Sequence, residues 1–224
     1  MKKNKFVYLS WMLNESTPSY GNREKLEIAK TASIKSGDVG NHTKISMSTH
    51  LGTHIDMPYH FFEDGQTIED FDADFWLFNK IGFLEIKPLG FVIKDELLDK
   101  IGTLDTDIEI LIVKTGASDN RNSKDFIYKN FGFHQDVADS LRSKFKNLRI
   151  FGFDCISVSS LTNRNMGREA HKNFLKPSCP ILLLEDMKLD ILDGLKIFEK
   201  IIIAPIRIEN CDGLPCTVFG FEGK

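Results

Sequence analysis

Short apolar runs recur along the chain, and polar segments rich in turn-forming residues separate them. Runs of this length between turn signals are typical of buried β-strands. They occupy residues 81–86, 108–113, 148–153, 181–184 and 201–206. Further strands are predicted from shorter or alternating patterns at residues 6–10, 43–49 and 216–221.

Helical patterns fall between these strands. Residues 134–145 carry apolar side chains at helical spacing, which predicts an amphipathic helix. Shorter helices are predicted at residues 94–101, 169–175 and 189–198. Residues 23–35 fit a strand and a short helix equally well, and residues 162–168 are predicted to form a polar loop. Because strands alternate with short helices without a repeat or a linker, we expect one α/β domain over residues 1–224.

Three histidines and one aspartate fall within residues 50–60, which gives this segment the strongest chemical signal in the chain. On a helix, His50 and His54 would share one face, as in the zinc-binding H-E-x-x-H pattern. However, the segment contains Gly52 and Pro58 as well as β-branched residues, and this composition disfavours a helix. We therefore expect an extended strand that continues from the strand predicted just before it.

Alternate residues of a strand point to the same side, so His50, His54 and Asp56 would share one face. Gly52 also lies on this face, and its missing side chain would leave room for a divalent cation between the two imidazoles. We expect the chain to turn after the strand so that His60 reaches the same site. A catalytic zinc ion takes about three protein ligands and keeps one position open, and this face alone supplies that number.

A second ion would need ligands from distant parts of the sequence, with Asp56 as the bridge between the two ions. Glu185 and His171 are the best candidates. Glu185 follows a fully apolar run, and a carboxylate at the end of a buried strand needs a partner such as a cation. A solvent-exposed strand end explains Glu185 equally well, and His171 fits an exposed helix position. The residues alone leave both roles open.

The complete pattern His50-x-Gly52-Thr53-His54-x-Asp56-x-Pro58-x-His60 resembles the signature of the cyclase-like metal-dependent hydrolases. This family includes kynurenine formamidases, isatin hydrolases and polyketide-cyclase-like proteins. Looser similarities follow at residues 152–157, 168–171, 184–186, 204–206 and 212–215.

The resemblance implies a swivelling β/β/α fold with a mixed central sheet, assembled as a homodimer or a larger homo-oligomer. It also implies that His171 and Glu185 complete a site for one or two divalent ions, with His50, His54 and Asp56 as the other ligands. Histidine and carboxylate ligands together suit zinc, manganese or iron(II), and zinc is expected first.

These residues predict a metal-dependent hydrolase of the arylformamidase type. An ion of this kind lowers the pKa of its water to about 7, and the resulting hydroxide attacks an amide, lactam or ester carbonyl. We expect His60 to transfer protons as the catalytic residue, because an imidazole titrates near neutral pH. Metal ligation by His60 is the alternative. A lyase or cyclase that uses the same ions, or a metal-binding module without catalysis, also fits the sequence.

Two arginines, Arg164 and Arg168, stand just before His171. Arginine binds carboxylates through two parallel hydrogen bonds, so an arginine that faces the pocket would favour an acidic small-molecule substrate and argue against kynurenine chemistry. A solvated loop explains the same residues. Tyr20, in a segment rich in turn formers, could line the pocket or lie on the surface.

Composition adds limits on the function. The 224 residues are 42% hydrophobic and 27% charged, and a net charge of -3 with a pI of about 6.1 offers no basic surface for nucleic acid. No apolar run reaches the roughly 18 residues of a membrane span, and the first residues do not resemble an export signal. We therefore expect a cytoplasmic protein. The four cysteines form no C-x-x-C motif, so we expect unpaired, buried thiols.

Overall fold

The computed structural model describes residues 5–192 and 198–222. Within them, the strands are β1 (Lys5–Tyr8), β2 (Glu27–Ala32), β3 (His42–Ser46), β4 (His54–Asp56), β5 (Leu77–Phe78), β6 (Ile81–Glu85), β7 (Val92–Ile93), β8 (Ile110–Lys114), β9 (Gly132–Phe133), β10 (Ile150–Phe153), β11 (Leu182–Glu185), β12 (Phe198–Pro205) and β13 (Gly213–Glu222). The α-helices are α1 (Asp95–Ile101), α2 (Lys124–Tyr128), α3 (Asp136–Lys144) and α4 (Arg164–Leu175).

Nine strands form one large mixed sheet in the order β5-β12-β13-β4-β11-β10-β8-β6, with β1 paired to β13. Strands β6, β8, β10 and β11 run parallel to one another, whereas β4 is antiparallel to both β11 and β13. The pairs β2–β3 and β7–β9 form separate two-stranded sheets. The predicted α/β fold with a mixed central sheet is confirmed.

The core lies between the parallel strands and the helices α3 and α4. Leu141 on α3 and Phe174 on α4 are fully buried, and the Phe174 ring stacks on Phe151 of β10 with 5.1 Å between the ring centroids. Each fully buried apolar side chain of this size contributes about 1.5–3 kcal/mol relative to an exposed one. This packing holds α4 against the interior strands β10 and β11. Helix α3 confirms the amphipathic helix predicted over residues 134–145.

Other predictions require correction. Residues 162–168 are not a loop, because α4 begins at Arg164 and Asn163 caps it by accepting a hydrogen bond from the backbone N–H of Met166. The predicted helix at 189–198 is not formed at residues 189–192, and Phe198 begins β12, while residues 193–197 lie outside the described part. Residues 27–32 of the undecided segment form a strand, β2.

All four cysteines are free, as predicted; Cys155 and Cys216 are buried, whereas Cys179 is exposed and Cys211 is partly exposed. Within the described ranges, no helix has the length and apolar character that a membrane span requires.

Candidate active site

Strand β4 lies at the centre of the sheet and brings His54 and Asp56 next to Glu185. On one side, His54 pairs with Glu185 of β11, and Asp56 pairs with Leu183. On the other side, Asp56 pairs with Gly213 of β13. His54, Asp56 and Glu185 are each at most 3% exposed. The sheet therefore gathers two carboxylates and an imidazole in a buried region, where only partnered charges are tolerated.

The strand is shorter than predicted, and His50 reaches the site by a different route. Residues 49–53 form a turn, and Gly52 has φ +70°, a conformation that side-chain-bearing residues rarely adopt. The space beside Gly52 is filled by Leu13, so it does not hold a cation. The preceding strand, β3, ends at Ser46 and pairs with β2 in the separate sheet. The prediction of one continuous strand face is therefore wrong.

The turn nevertheless brings His50 to the same carboxylate. His50 Nδ1 lies 2.9 Å from Asp56 Oδ1, and His54 Nε2 lies 3.2 Å from the same oxygen. The second oxygen of Asp56 faces another histidine, with His171 Nε2 at 3.5 Å. Asp56 thus presents one oxygen to the histidines before it and the other to the distant helix α4. This is the arrangement expected of a bridging carboxylate.

Glu185 closes the group on the side of α4. Its Oε2 lies 3.5 Å from His54 Nε2, and its Oε1 lies 3.7 Å from His171 Nε2. The backbone N–H of Val158 donates to Oε1 at 2.7 Å and fixes the carboxylate in place. The side chains of Glu185 and His171 are both buried. This excludes the alternative that either residue lies on the surface.

Hydrogen bonds determine which nitrogen of two histidines faces this group. His54 Nδ1 lies 2.8 Å from the carbonyl oxygen of Gly52, and His171 Nδ1 lies 2.9 Å from that of Gly167. A carbonyl oxygen only accepts, so Nδ1 carries the hydrogen in each ring. The lone pair of each Nε2 therefore points toward the carboxylates, as in histidines oriented for metal binding.

These residues fit a divalent ion. His54 Nε2 and Asp56 Oδ2 are buried and have no hydrogen-bond partner, which is costly in a protein interior unless an ion binds them. Two ligands about 2.1 Å from a tetrahedral ion lie about 3.4 Å apart. The separations of 3.2–3.7 Å between His54, His171, Asp56 and Glu185 match this value.

The electrostatics of the two buried carboxylates support the same conclusion. Burial opposes ionisation of Asp56, but the neighbouring imidazoles of His171, His50 and His54 hold its pKa well below the usual range. Burial raises the pKa of Glu185 well above its usual range, and the negative charge of Asp56 adds to this effect. A cation between the two carboxylates would remove their mutual repulsion.

His60 lies above the candidate ligands at the end of a short helical turn, Pro58–His60. Its ring centroid is 4.1 Å from that of His50 and 5.7 Å from that of His171. The expected return of His60 to the site after Pro58 is therefore observed. The side chain is partly exposed and lines the cavity described below.

Asp212 belongs to the same site and was missed by sequence reasoning. Its Oδ2 lies 2.8 Å from His50 Nε2 and 3.1 Å from His60 Nδ1. Hydrogen bonds from His50 and His60 hold the pKa of Asp212 far below its usual range. Burial acts to lower the pKa of His50, but Asp212 and Asp56 raise it to about 10. The sequence feature that could have identified Asp212 is the Asp-Gly-Leu-Pro segment at residues 212–215, one of the looser similarities to the family.

A cavity of about 330 Å³ opens over these residues. Its lining includes the six predicted site residues, namely His50, His54, Asp56, His60, His171 and Glu185. Phe61 and Ile156 add apolar surface, and Tyr20, Arg164 and Arg168 also line the space. The volume suits a small organic molecule bound next to the candidate metal ligands.

Comparison with known proteins agrees with this geometry. Residues 7–160 match the model of the Cyclase family. This chain belongs to the Cyclase family. The resemblance inferred from residues 50–60 is thus confirmed, and the match extends well beyond that segment.

Curated relatives of this Cyclase-family chain match it over nearly its whole length. The kynurenine formamidase of Bacillus anthracis is 28% identical over 216 residues, which cover 96% of each chain. The kynurenine formamidase of Geobacillus thermodenitrificans is 27% identical over 221 residues, which cover 95% of each chain. Among solved structures, a potential metal-dependent hydrolase with cyclase activity is 21% identical with a TM-score of 0.76, covering 99% of this chain and 100% of that one. An isatin hydrolase bound to the product analogue thioisatinate is 18% identical with a TM-score of 0.77, covering 99% and 93%.

Proposed function

We propose that this Cyclase-family chain is a metal-dependent hydrolase that cleaves the amide bond of a small aryl formamide or lactam. The observation that carries the proposal is the pair of unpartnered buried atoms, His54 Nε2 and Asp56 Oδ2, at the base of an open cavity. Such atoms are costly in a structural core but are expected of metal ligands in an active site. The kynurenine formamidase relatives and the isatin hydrolase fold support the choice of carbon–nitrogen bond.

His50, His54, Asp56, His171 and Glu185 are the residues that would hold the ion. When bound, a divalent ion supplies Lewis acidity, which activates water and polarises a carbonyl group. The protein contributes the fixed orientation of these ligands, because the Gly52 and Gly167 carbonyl oxygens hold the rings of His54 and His171. Zinc suits these ligands best and manganese is the alternative, with one or two ions per subunit.

His60 is the proposed proton-transfer residue. The Asp212 carboxylate accepts from Nδ1, which leaves Nε2 free to face the reacting bond. There, Nε2 would take a proton from the attacking water and deliver a proton to the leaving nitrogen. The apolar surface of Phe61 and Ile156 beside it would hold an aromatic or acyl group of the substrate.

The test combines turnover with metal analysis. Zinc-loaded protein is expected to release formate from formanilides or to open isatin-like lactams, with cyclic imides as a third substrate group. The His60→Ala variant should keep the metal content of the parent and lose about 100-fold or more in kcat. Loss of metal from this variant would instead make His60 a ligand. If the zinc-loaded parent hydrolyses none of these compounds, the proposed reaction is wrong.

We also propose a cytoplasmic homo-oligomer, dimer or tetramer, in which residues 1–224 form a single domain that acts on small molecules rather than on nucleic acid or membranes. Light scattering of the purified protein tests the assembly. Limited proteolysis tests the single domain, because a chain of two domains would yield two stable fragments.

A further inference from the structure

One face of α4 carries both a candidate metal ligand and two arginines. Arg164, Arg168 and His171 are spaced four and three residues apart, so they lie along the same side of the helix. All three line the cavity above the candidate metal site. With a rise of about 1.5 Å per residue, Arg168 starts about 4.5 Å and Arg164 about 10.5 Å from His171 along the helix axis.

The 20–23 segment adds a third guanidinium and a phenol to the cavity lining. Tyr20 lies in a short helical turn, Tyr20–Asn22, and Arg23 follows directly; both line the same cavity. Burial raises the pKa of the Tyr20 phenol, and the charges of Arg164, Arg23 and Arg168 act against this increase. Three guanidinium groups are therefore close enough to one phenol to act on its ionisation.

In the described part of the chain, these three arginines have no carboxylate partner, whereas Arg121, Arg142 and Arg149 each have one. Arg121 pairs with Asp186 at 2.6 Å and Arg149 pairs with Glu109 at 3.0 Å. In residues 5–192 and 198–222, no carboxylate oxygen lies within 4.0 Å of the guanidinium nitrogens of Arg23, Arg164 or Arg168. Outside the metal site, the described cavity lining contains one acidic residue, Glu24, which offers one negative charge against three positive ones.

We propose that Arg164 and Arg168, supported by Arg23 and Tyr20, bind a carboxylate group of the substrate at the end of the cavity away from the reacting bond. A guanidinium binds a carboxylate through two parallel N–H···O hydrogen bonds, and the Tyr20 hydroxyl donates a third. The substrate is then a small anionic amide, with its carboxylate one to two helical turns from His171. A single aromatic ring between formamide and carboxylate fits this spacing.

This carboxylate subsite rests on the proposed function only for the identity of the bond that is cleaved, an amide bond. The test uses two compounds of the same shape, 4-formamidobenzoate and the neutral 4-formamidobenzamide, with zinc-loaded protein. We expect kcat/KM to be about tenfold higher for the acid. The Arg164→Gln/Arg168→Gln variant should lose this preference through a higher KM for the acid, and its kcat/KM for the neutral compound should change less than about twofold.

Lys172→Gln is the matched control, since Lys172 lies on α4 but is exposed and paired with Glu169. It removes one positive charge from the same helix and should leave the preference unchanged. Equal kcat/KM values for the two compounds in the parent protein would overturn the proposal, as would an equal loss for both in the double variant. Circular dichroism and zinc content confirm that the variant is folded, and the two single variants replace it if it is not.

A binding measurement separates this inference from the proposed reaction. Calorimetric titration with 4-acetamidobenzoate and 4-acetamidobenzamide needs no turnover. Tighter binding of the acid to the parent, lost in the double arginine variant, supports the anion subsite even if neither formamide is hydrolysed. Equal affinities for acid and amide overturn the subsite, whatever reaction the protein catalyses.

Discussion

The Asp212 carboxylate holds His60 through an oxygen that lies 3.1 Å from Nδ1 of the ring. A carboxylate of low pKa only accepts hydrogen bonds, so Nδ1 carries the hydrogen and Nε2 takes no part in this contact. The same oxygen lies 2.8 Å from His50 Nε2. Asp212 therefore links the proposed proton-transfer residue to a candidate metal ligand.

Exchange of Asp212 for Asn should test this positioning role. The amide can present its NH₂ group to Nδ1 and favour the wrong tautomer of His60, so we expect kcat to fall about 10- to 100-fold. The pH profile of kcat should shift as well, which a purely structural role would not cause. Asp136→Asn, which removes a surface partner of Lys94, serves as the control. Unchanged kcat and pH profile in Asp212→Asn would contradict the role.

Removal of metal should destabilise the protein, because the buried carboxylates of Asp56 and Glu185 then face each other without a cation. A ligand that binds only the folded state stabilises it by about 2.7 kcal/mol at a concentration 100 times its Kd. Zinc should therefore raise Tm measured by calorimetry, and EDTA should reverse the increase. In Glu185→Gln, the zinc-dependent increase should be smaller, while the Tm in EDTA should rise, since one of two repelling charges is gone. A full zinc response in this variant would exclude Glu185 as a ligand.

Zinc affinity should increase with pH, since protons and metal compete for His50. Its pKa of about 10 in the folded chain means that the ring is protonated at pH 7, and this charge stabilises the fold below pH 6.5 and is lost toward pH 10. Zinc must displace that proton, so its affinity should rise about tenfold per pH unit between pH 7 and 9. Calorimetry in buffers of different ionisation enthalpy counts the released protons. An affinity independent of pH in this range would contradict the ligand role of His50.

Alanine at Gly52 should damage both the fold and the site. Its φ of +70° is strained for alanine, and the added Cβ would collide with Leu13. We expect a loss of about 1–3 kcal/mol in the free energy of unfolding, measured by urea denaturation. Zinc affinity should fall too, because the Gly52 carbonyl orients His54. Gly90→Ala is the control, since its Cβ would meet no atom within 4 Å. Equal stability of the two variants would contradict this account.

The candidate ligands could be predicted because they depend on residue type and on one dense segment. Residues 50–60 contain an unusual concentration of imidazole and carboxylate groups, and their pattern resembles a known signature. Glu185 became a candidate because it ends a buried apolar strand, where an ionised carboxylate requires a partner, and the resemblance to the family then favoured the ligand role over an exposed strand end. These arguments hold whether or not the local backbone is predicted correctly.

The local geometry could not be predicted in the same way. Period-two alternation suggested that His50 belongs to the strand of His54, but a positive φ at Gly52 turns the chain instead. Asp212 was missed because a lone aspartate before a glycine usually marks a turn. Its role depends on the antiparallel pairing of β13 with β4, which places the start of β13 beside Asp56. Pairing between segments that are distant in sequence leaves little trace in local composition.

Strand β4 contains only three residues, yet it is paired on both sides. If β11 or β13 shifted by one residue relative to β4, the side chains of the shifted strand would point to the opposite face of the sheet. The arrangement of the candidate metal ligands therefore tolerates no insertion in these strands. Tyr20, Arg23, Arg164 and Arg168 belong to the 20–23 segment and to the first two turns of α4, outside this pairing. Proteins of this family can therefore diverge in substrate preference through substitutions at these cavity-lining positions, while the candidate metal ligands stay the same.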